Sequence, residues 1–217
     1  MLAASSLTAT ERDVLRDSLR IANEQPVAAF ASIPHTLIGS NRMAQEAVAI
    51  TAAQQALAAV VMPEMLTGDA YRCGERIARQ LVSLRASATE PVLVCWGGEP
   101  VVSLPAGAPP GGRMQALALA AAHTLHASGA AAEGITILAA GSDGGDGATD
   151  AAGAVVHAET WAAVRLAGGD PQALRDAHDS HSALRLSNSL IESFISGTNV
   201  NDLVIALVEP TIAEGAA

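Results

Sequence analysis

The sequence predicts an α/β fold, a layered sheet with flanking helices. Three features point to it. Short apolar runs such as Ile135–Ala140 and Leu203–Val208 have strand length and border glycine- or asparagine-rich loops. Alanine- and leucine-rich stretches at helical spacing lie between such runs. The two kinds of segment alternate, which is the pattern of helices layered on a sheet.

The elements follow in order. Thr8 or Thr10 suits the cap of a first helix reaching about Asn23, with Leu15, Leu19 and Ala22 as its apolar stripe, and Pro26 ends it. Thr36–Ile38 reads as a short strand entering Gly39-Ser40-Asn41. A helix over 42–59 follows, with Met43, Ala47, Ile50 and Leu57 facing inward. Val60–Met62 reads as a strand and 68–84 as a helix. Val92–Trp96 and Val101–Leu104 are β-rich runs around Gly97-Gly98-Glu99-Pro100 and suggest a hairpin. After the Pro/Gly loop 105–112, a long Ala/Leu helix is expected over 113–127. The Ile135 strand, an Asp/Gly loop over 141–150 and the small apolar run 151–156 come next. Helices are expected over 158–167 and 171–177, the second with Pro171 in its first turn. Residues 85–91 are the best candidate for a domain boundary.

Composition narrows the function. The chain has 217 residues, half of them hydrophobic but only 2% aromatic, so the expected core is tight and alanine-rich. A formal charge of −10 argues against nucleic acid, which needs a basic face. All 12 basic residues are arginine, which rules out lysine chemistry within these residues. Cys73 and Cys95 form no metal-ligand pattern and suit free thiols in a reducing cytoplasm, with a single disulfide as the alternative. The N-terminal residues do not read as a signal peptide, and the uncharged stretch 114–132 is too rich in Ala, His and Gly for a membrane span.

The chemistry-bearing residues gather in loops at strand ends. Gly141 to Asp150 holds three carboxylates, Asp143, Asp146 and Asp150, among four glycines. Glycines allow close backbone approach to a ligand, and carboxylates so spaced suit Mg²⁺ or a polar substrate. Ser40-Asn41 and Thr198-Asn199 with Asn201-Asp202 stand at two further strand ends, and ligands of open α/β sheets bind where such loops converge. Ser40 equally suits a helix cap, and Asn199 and Asp202 equally suit a turn. Arg113, behind Gly111-Gly112 at a helix start, suits an anion site or a surface turn. His123 and His126 could share a helix face. His178-Asp179-Ser180-His181 holds the residue types of a catalytic triad, but adjacency in sequence does not build one. A hydrolase using Asp143 and His181 is the weakest reading.

Taken in order, Gly97-Gly98-Glu99, Gly111-Gly112-Arg113, the run 141–156, Asp179-Ser180 and Gly197–Leu203 resemble the MOFRL domain of the glycerate 2-kinase family, sometimes annotated hydroxypyruvate reductase. Gly39-Ser40-Asn41-Arg42 and its Ala-rich helix resemble the segment just upstream. The resemblance implies a MOFRL-like domain over 91–217, preceded over 1–90 by a partial, Rossmann-like strand-helix-strand-helix segment. It implies ATP- and Mg²⁺-dependent phosphoryl transfer to D-glycerate, chemistry in which protein groups mainly position and neutralise. Arg113, Asp143 and Asp146 would carry catalysis, with Asp143 and Asp146 toward Mg²⁺. Ser40, Asn41, Glu99, Asp150, Asn199, Asn201 and Asp202 would line the side facing a small hydroxy acid or phosphorylated acid.

The family's first half carries a Gly-rich Ser/Gly loop and a lysine, and neither occurs here. Its Gly-Gly-Arg-Asn-Gln-Glu reads Gly111-Gly112-Arg113-Met114-Gln115-Ala116, and its Gly-Gly-Glu-Thr reads Gly97-Gly98-Glu99-Pro100. The resulting expectation is a truncated, cytoplasmic kinase-like protein whose nucleotide half comes from a second polypeptide. A non-catalytic binding or assembly module, forming a homodimer, is the alternative.

Overall fold

The computed structural model describes residues 36–211, together with Thr10, Asp13 and Pro34. The helix expected over 10–23 therefore lies outside the described residues, except for Thr10 and Asp13, which are helical. The described residues from Gly39 to Thr211 belong to one compact unit.

Six strands make one mixed sheet: β1 (Ala58–Val61), β2 (Val92–Gly98), β3 (Ile135–Gly141), β4 (Ala151–His157), β5 (Leu190–Glu192) and β6 (Asp202–Val208), in spatial order β1-β2-β6-β3-β4-β5. Only β1 and β2 run parallel; β6 inserts between β2 and β3 and is antiparallel to both. Six α-helices complete the described fold: α1 (Asn41–Gln54), α2 (Ala70–Arg85), α3 (Arg113–Ala127), α4 (Thr160–Leu166), α5 (Pro171–Asp176) and α6 (Ser180–Leu186). Residues 85–91 connect α2 to β2 inside this unit. Among the described residues, no helix is long and apolar enough to cross a membrane.

The core lies between the sheet and the pair α2/α3. Ile77, Leu81, Met114, Leu117 and Ala121 meet Val94, Trp96, Ile137, Val156, Val204 and Ala206 there. Alanine on α3 allows close approach. At Gly74 of α2, an added Cβ would lie 2.1 Å from the Leu117 carbonyl. The opposite face of β2 is covered by α1, where the backbone of Gly97 lies against Asn41 and Gln45.

Several expectations change. Thr36–Ile38 is not a strand: it joins no ladder, and Leu37 and Ile38 are exposed. On α1 the inward face is Asn41, Gln45 and Ala52, while Met43, Ala47 and Ile50 face outward. The polar face goes inward because it meets backbone: Asn41 Nδ2 donates to the carbonyls of Val200 (2.7 Å) and Asp202 (2.9 Å). The 92–104 hairpin does not form, since β1 and β6 already occupy both edges of β2; Val101 instead bridges to Asp69. Helix α6 and strand β5 were not anticipated, being short elements of seven and three residues behind polar turns. Both cysteines are free and buried, and burial pushes the Cys95 thiol up to about 11.

Candidate functional site

Strand register fixes the centre of the site. Asp202, the first residue of β6, stands opposite Gly98 at the end of β2 and Gly141 at the end of β3. The loops leaving those strands therefore share one edge of the sheet with the turn preceding β6. Side chains lace them together: Val200 N–H donates to Ser142 Oγ (2.8 Å), Ser142 N–H to the Asn201 carbonyl (3.1 Å), and Asn199 Nδ2 to Asp143 Oδ2 (3.2 Å). Asn201 contributes through its backbone, held at φ 67°, and its N–H donates to Asn199 Oδ1.

Arg113, the first residue of α3, reaches across to Asp202. Its Nε donates to Oδ2 at 2.5 Å and its Nη2 to Oδ1 at 3.0 Å, a bidentate fork. The Asp202 side chain is 2% exposed and that of Arg113 36%. Burial pushes the Asp202 carboxyl above its usual range, with Arg113 opposing; the bond to Asp202 raises the Arg113 guanidinium in turn. Glu99 lies 3.6 Å from Nη2 on the exposed side. Nη1 has no protein acceptor among the described residues. Arg113 lines a cleft of about 420 Å³ together with Glu99 to Val102, Gly111, Gly112 and Gly147.

Beneath that cleft, Asp146 caps α3 from 32 residues away. Gly112, the N-cap, offers no side chain, and Asp146 accepts from Met114 N–H (3.1 Å), Gln115 N–H (2.8 Å) and Gln115 Nε2 (3.0 Å). Burial pushes its carboxyl above the usual range, opposed by these bonds. The close fit requires glycine on both sides. A Cβ at Gly112 would lie 2.1 Å from the Asp146 carboxyl carbon. One at Gly147, where φ is +65°, would lie 2.0 Å from the Gly111 carbonyl. Of the loop glycines expected to admit a ligand, Gly141, Gly144 and Gly147 instead admit neighbouring backbone, and Gly145 alone stays open.

Gln115 extends the network. Its Nε2 also donates to the Asp146 carbonyl and to Thr149 Oγ1, which leaves Oε1 facing His181 Nδ1 at 2.7 Å. That network assigns the proton to Nδ1. His181 Nε2 lies 3.2 Å from Asp150, whose oxygens both accept from Arg185 (2.8 and 2.9 Å). The Arg185 bond holds the exposed Asp150 carboxyl below its usual range. His181 thus meets Asp150 and Gln115, not Asp143, which leaves the hydrolase reading without its pair.

The structure brings Arg113, Glu99, Asp143, Asp146, Asn199, Asn201 and Asp202 to one end of the sheet, but in unequal roles. Ser40 Oγ caps α1 by accepting from Met43 N–H, and Asn41 is spent on the β6 entrance and on Gln45. Asp150 belongs to the His181–Arg185 latch. Sequence reasoning missed Gln115, Thr149, Ser142 and Arg185; its one signal was Gln115, a lone amide within an apolar helix. The changed residues after Arg113 also read differently: Met114 and Ala116 are buried in the core rather than facing the cleft.

Mg²⁺ was expected at Asp143 and Asp146. Asp146 does not fit, because both its oxygens already accept from three N–H groups. Among the described residues no group of three His, Cys, Asp or Glu side chains is placed to hold a metal. Asp143 is exposed, bound through Oδ1 to Gly145 N–H and through Oδ2 to Asn199. It fits as a single carboxylate toward a Mg²⁺ held largely by phosphates.

Residues 92–202, from the start of β2 to Asp202, match the MOFRL family. The chain belongs to the MOFRL family. Its curated relatives include a Thermotoga maritima D-glycerate 2-kinase, 34% identical over 79% of this chain and 41% of that protein. A Pyrococcus horikoshii glycerate 2-kinase is 32% identical over 82% and 40%. A putative hydroxypyruvate reductase of Agrobacterium vitis is 34% identical over 86% and 42%. The crystal structure of the Thermotoga maritima glycerate kinase superposes with a TM-score of 0.76 at 30% identity, covering 91% of this chain and 50% of that one. The MOFRL chain described here thus spans about two fifths of the length of these curated relatives.

Proposed function

We propose that this chain supplies the acid-substrate side of an ATP-dependent phosphoryl transfer to D-glycerate. The nucleotide side would come from residues outside these 217. One observation carries the reading: a half-exposed guanidinium held rigidly by a buried carboxylate at the mouth of a cleft, with Nη1 unspent. Such a group binds a carboxylate or phosphate without reorganising, the form of positioning that phosphoryl transfer uses.

Arg113 holds the acid's anionic group through Nη1, and Asp202 fixes the direction of the guanidinium. Asp146 and Gln115 anchor the start of α3, so Arg113 projects from a fixed helix end. ATP supplies the phosphoryl group, and Mg²⁺ offsets the charge on its phosphates. Asp143 is the chain's own carboxylate toward that ion, steadied by Asn199. Glu99 borders the guanidinium and disfavours a second anion on its side.

Calorimetric titration with D-glycerate and 2-phosphoglycerate tests the pocket. Saturable binding that weakens about tenfold or more in Arg113→Lys is expected, because lysine loses the fork to Asp202. No binding of either acid would sink the proposal. A coupled ATP/D-glycerate assay tests the need for a partner. These 217 residues alone should be idle and should turn over when a lysine-bearing nucleotide half, fused or added, completes them; robust turnover by these residues alone refutes that division of labour.

A further inference from the structure

A second concavity, of about 710 Å³, opens along α2 on the far side of the segment that walls the cleft. The two hollows share a partition. Val101 N–H donates to the Gly68 carbonyl (2.7 Å) and Ala70 N–H to the Val101 carbonyl (2.8 Å). Val101 lines the cleft, and Gly68 and Asp69 line the second hollow.

Arg72, Arg76 and Arg79 line this hollow from one face of α2, at spacings of four and three. Two carboxylates also line it, and both are engaged. Asp69 Oδ1 caps α2 by accepting from Arg72 N–H at 2.9 Å. Glu75 accepts from Arg175 Nη2 at 2.5 Å and is only 3.9 Å from Arg79. Arg72 and Arg76 have no ion-pair partner among the described residues. Arg76 instead folds back so that Nη2 lies 3.9 Å from Cys73 Sγ at the buried floor, where Cys73 donates to the Thr67 carbonyl. Three guanidiniums against two carboxylates leave this hollow net positive in a chain whose net charge is −10.

We propose that this hollow is a second anion site, built for a small molecule bearing a polyphosphate chain. The helical rise sets the row from Arg72 to Arg79 at about 10 Å, longer than any single phosphate or carboxylate and matched by two or three linked phosphates. Guanidinium forks suit phosphate oxygens bidentately, and the volume falls in the range of small-molecule sites. An acidic peptide is the competing occupant; the short arginine row, about 10 Å along one helix face, suits a compact ligand better than an extended chain.

The probe is inorganic tripolyphosphate, titrated calorimetrically into the full chain at low ionic strength. Wild type should bind it saturably. Arg72→Ser/Arg76→Ser should weaken binding by at least about tenfold, since each lost charge-assisted bond is worth about that factor. Arg42→Ser/Arg165→Ser removes the same charge from exposed positions elsewhere and should change affinity by less than about twofold. All four side chains are on exposed residues, so both variants should fold, and circular dichroism checks this. Absence of saturable uptake by wild type, or equal loss in the two double variants, overturns the site. A hexaglutamate peptide binding as tightly as tripolyphosphate overturns the small-molecule assignment. Because D-glycerate binding reads Arg113 alone, either proposal can fail without the other.

Discussion

Asp146 lies beneath the cleft with its oxygens taken by three N–H donors, whereas Asp143, three residues earlier in the same loop, faces solvent with one amide and one backbone N–H for company. The sequence presents them as equals. The fold makes the first a joint and the second a rim. The difference shows how a polar loop divides its labour: a buried carboxylate is kept by the donors that surround it, and only the exposed one stays available to a ligand or ion.

The sharpest way to break that contrast is to remove each carboxylate in turn. Asp146→Ala leaves three buried or half-buried donors at the start of α3 without an acceptor and should cost about 3 kcal/mol in urea unfolding. Asp143→Ala should cost about 0.5 kcal/mol, with its effect appearing in Mg²⁺-dependent ligand binding instead. Equal losses of stability would mean that Asp146 is not the joint described here.

The glycines allow a second, smaller test of the same contrast. Gly112→Ala drives a methyl into the Asp146 carboxylate and should destabilise by about 2 kcal/mol. Gly145→Ala sits on the rim, where the added carbon would meet nothing closer than 3.9 Å. It should be neutral or stabilising by about 0.5 kcal/mol, through the unfolded chain. Thermal unfolding of the two variants side by side decides whether tight packing belongs to the joint alone.

What could be read from the sequence followed the range of the interaction. The start of α3 at Arg113 was legible because Gly111-Gly112 and the apolar spacing behind it are local signals, and Pro171 marked α5 for the same reason. The strand Leu203–Val208 was legible from β-rich composition. Its insertion between β2 and β3 was not, since pairing partners more than sixty residues away leave no local mark. The failed hairpin is the same fact seen from β2. On α1, apolar spacing pointed to the wrong face because Asn41 serves the carbonyls of β6, a demand set wholly by tertiary structure. Asp146 capping a helix 32 residues away is likewise invisible to a reading that searches for caps beside the helix. The family motifs marked which loops meet at the sheet end; side-chain partners then separated solvent-facing residues from those that hold the loops.

The smallest expected effect concerns pH, and it reverses sign between the two regions. Burial raises the folded-state pKa of Asp146 and Asp202 above the usual 3.8. For a raised carboxyl, the folded state holds its proton longer than the unfolded chain does. The associated stability is therefore present below 3.8 and lost as pH rises through the raised value. Asp150 behaves oppositely: the Arg185 bond lowers it, so its contribution is present above 3.8 and lost as pH falls through the lowered value. A urea series from about pH 3 to pH 6 separates them. Asp146→Asn keeps the side-chain shape and should flatten the decline of stability just above 3.8. Asp150→Asn should flatten the loss on the acid side, and added salt should erase that difference because the Arg185 pair is exposed. An unchanged slope in Asp146→Asn would mean that the three N–H donors fully offset burial, and a loss of the acid-side decline would mean that they outweigh it.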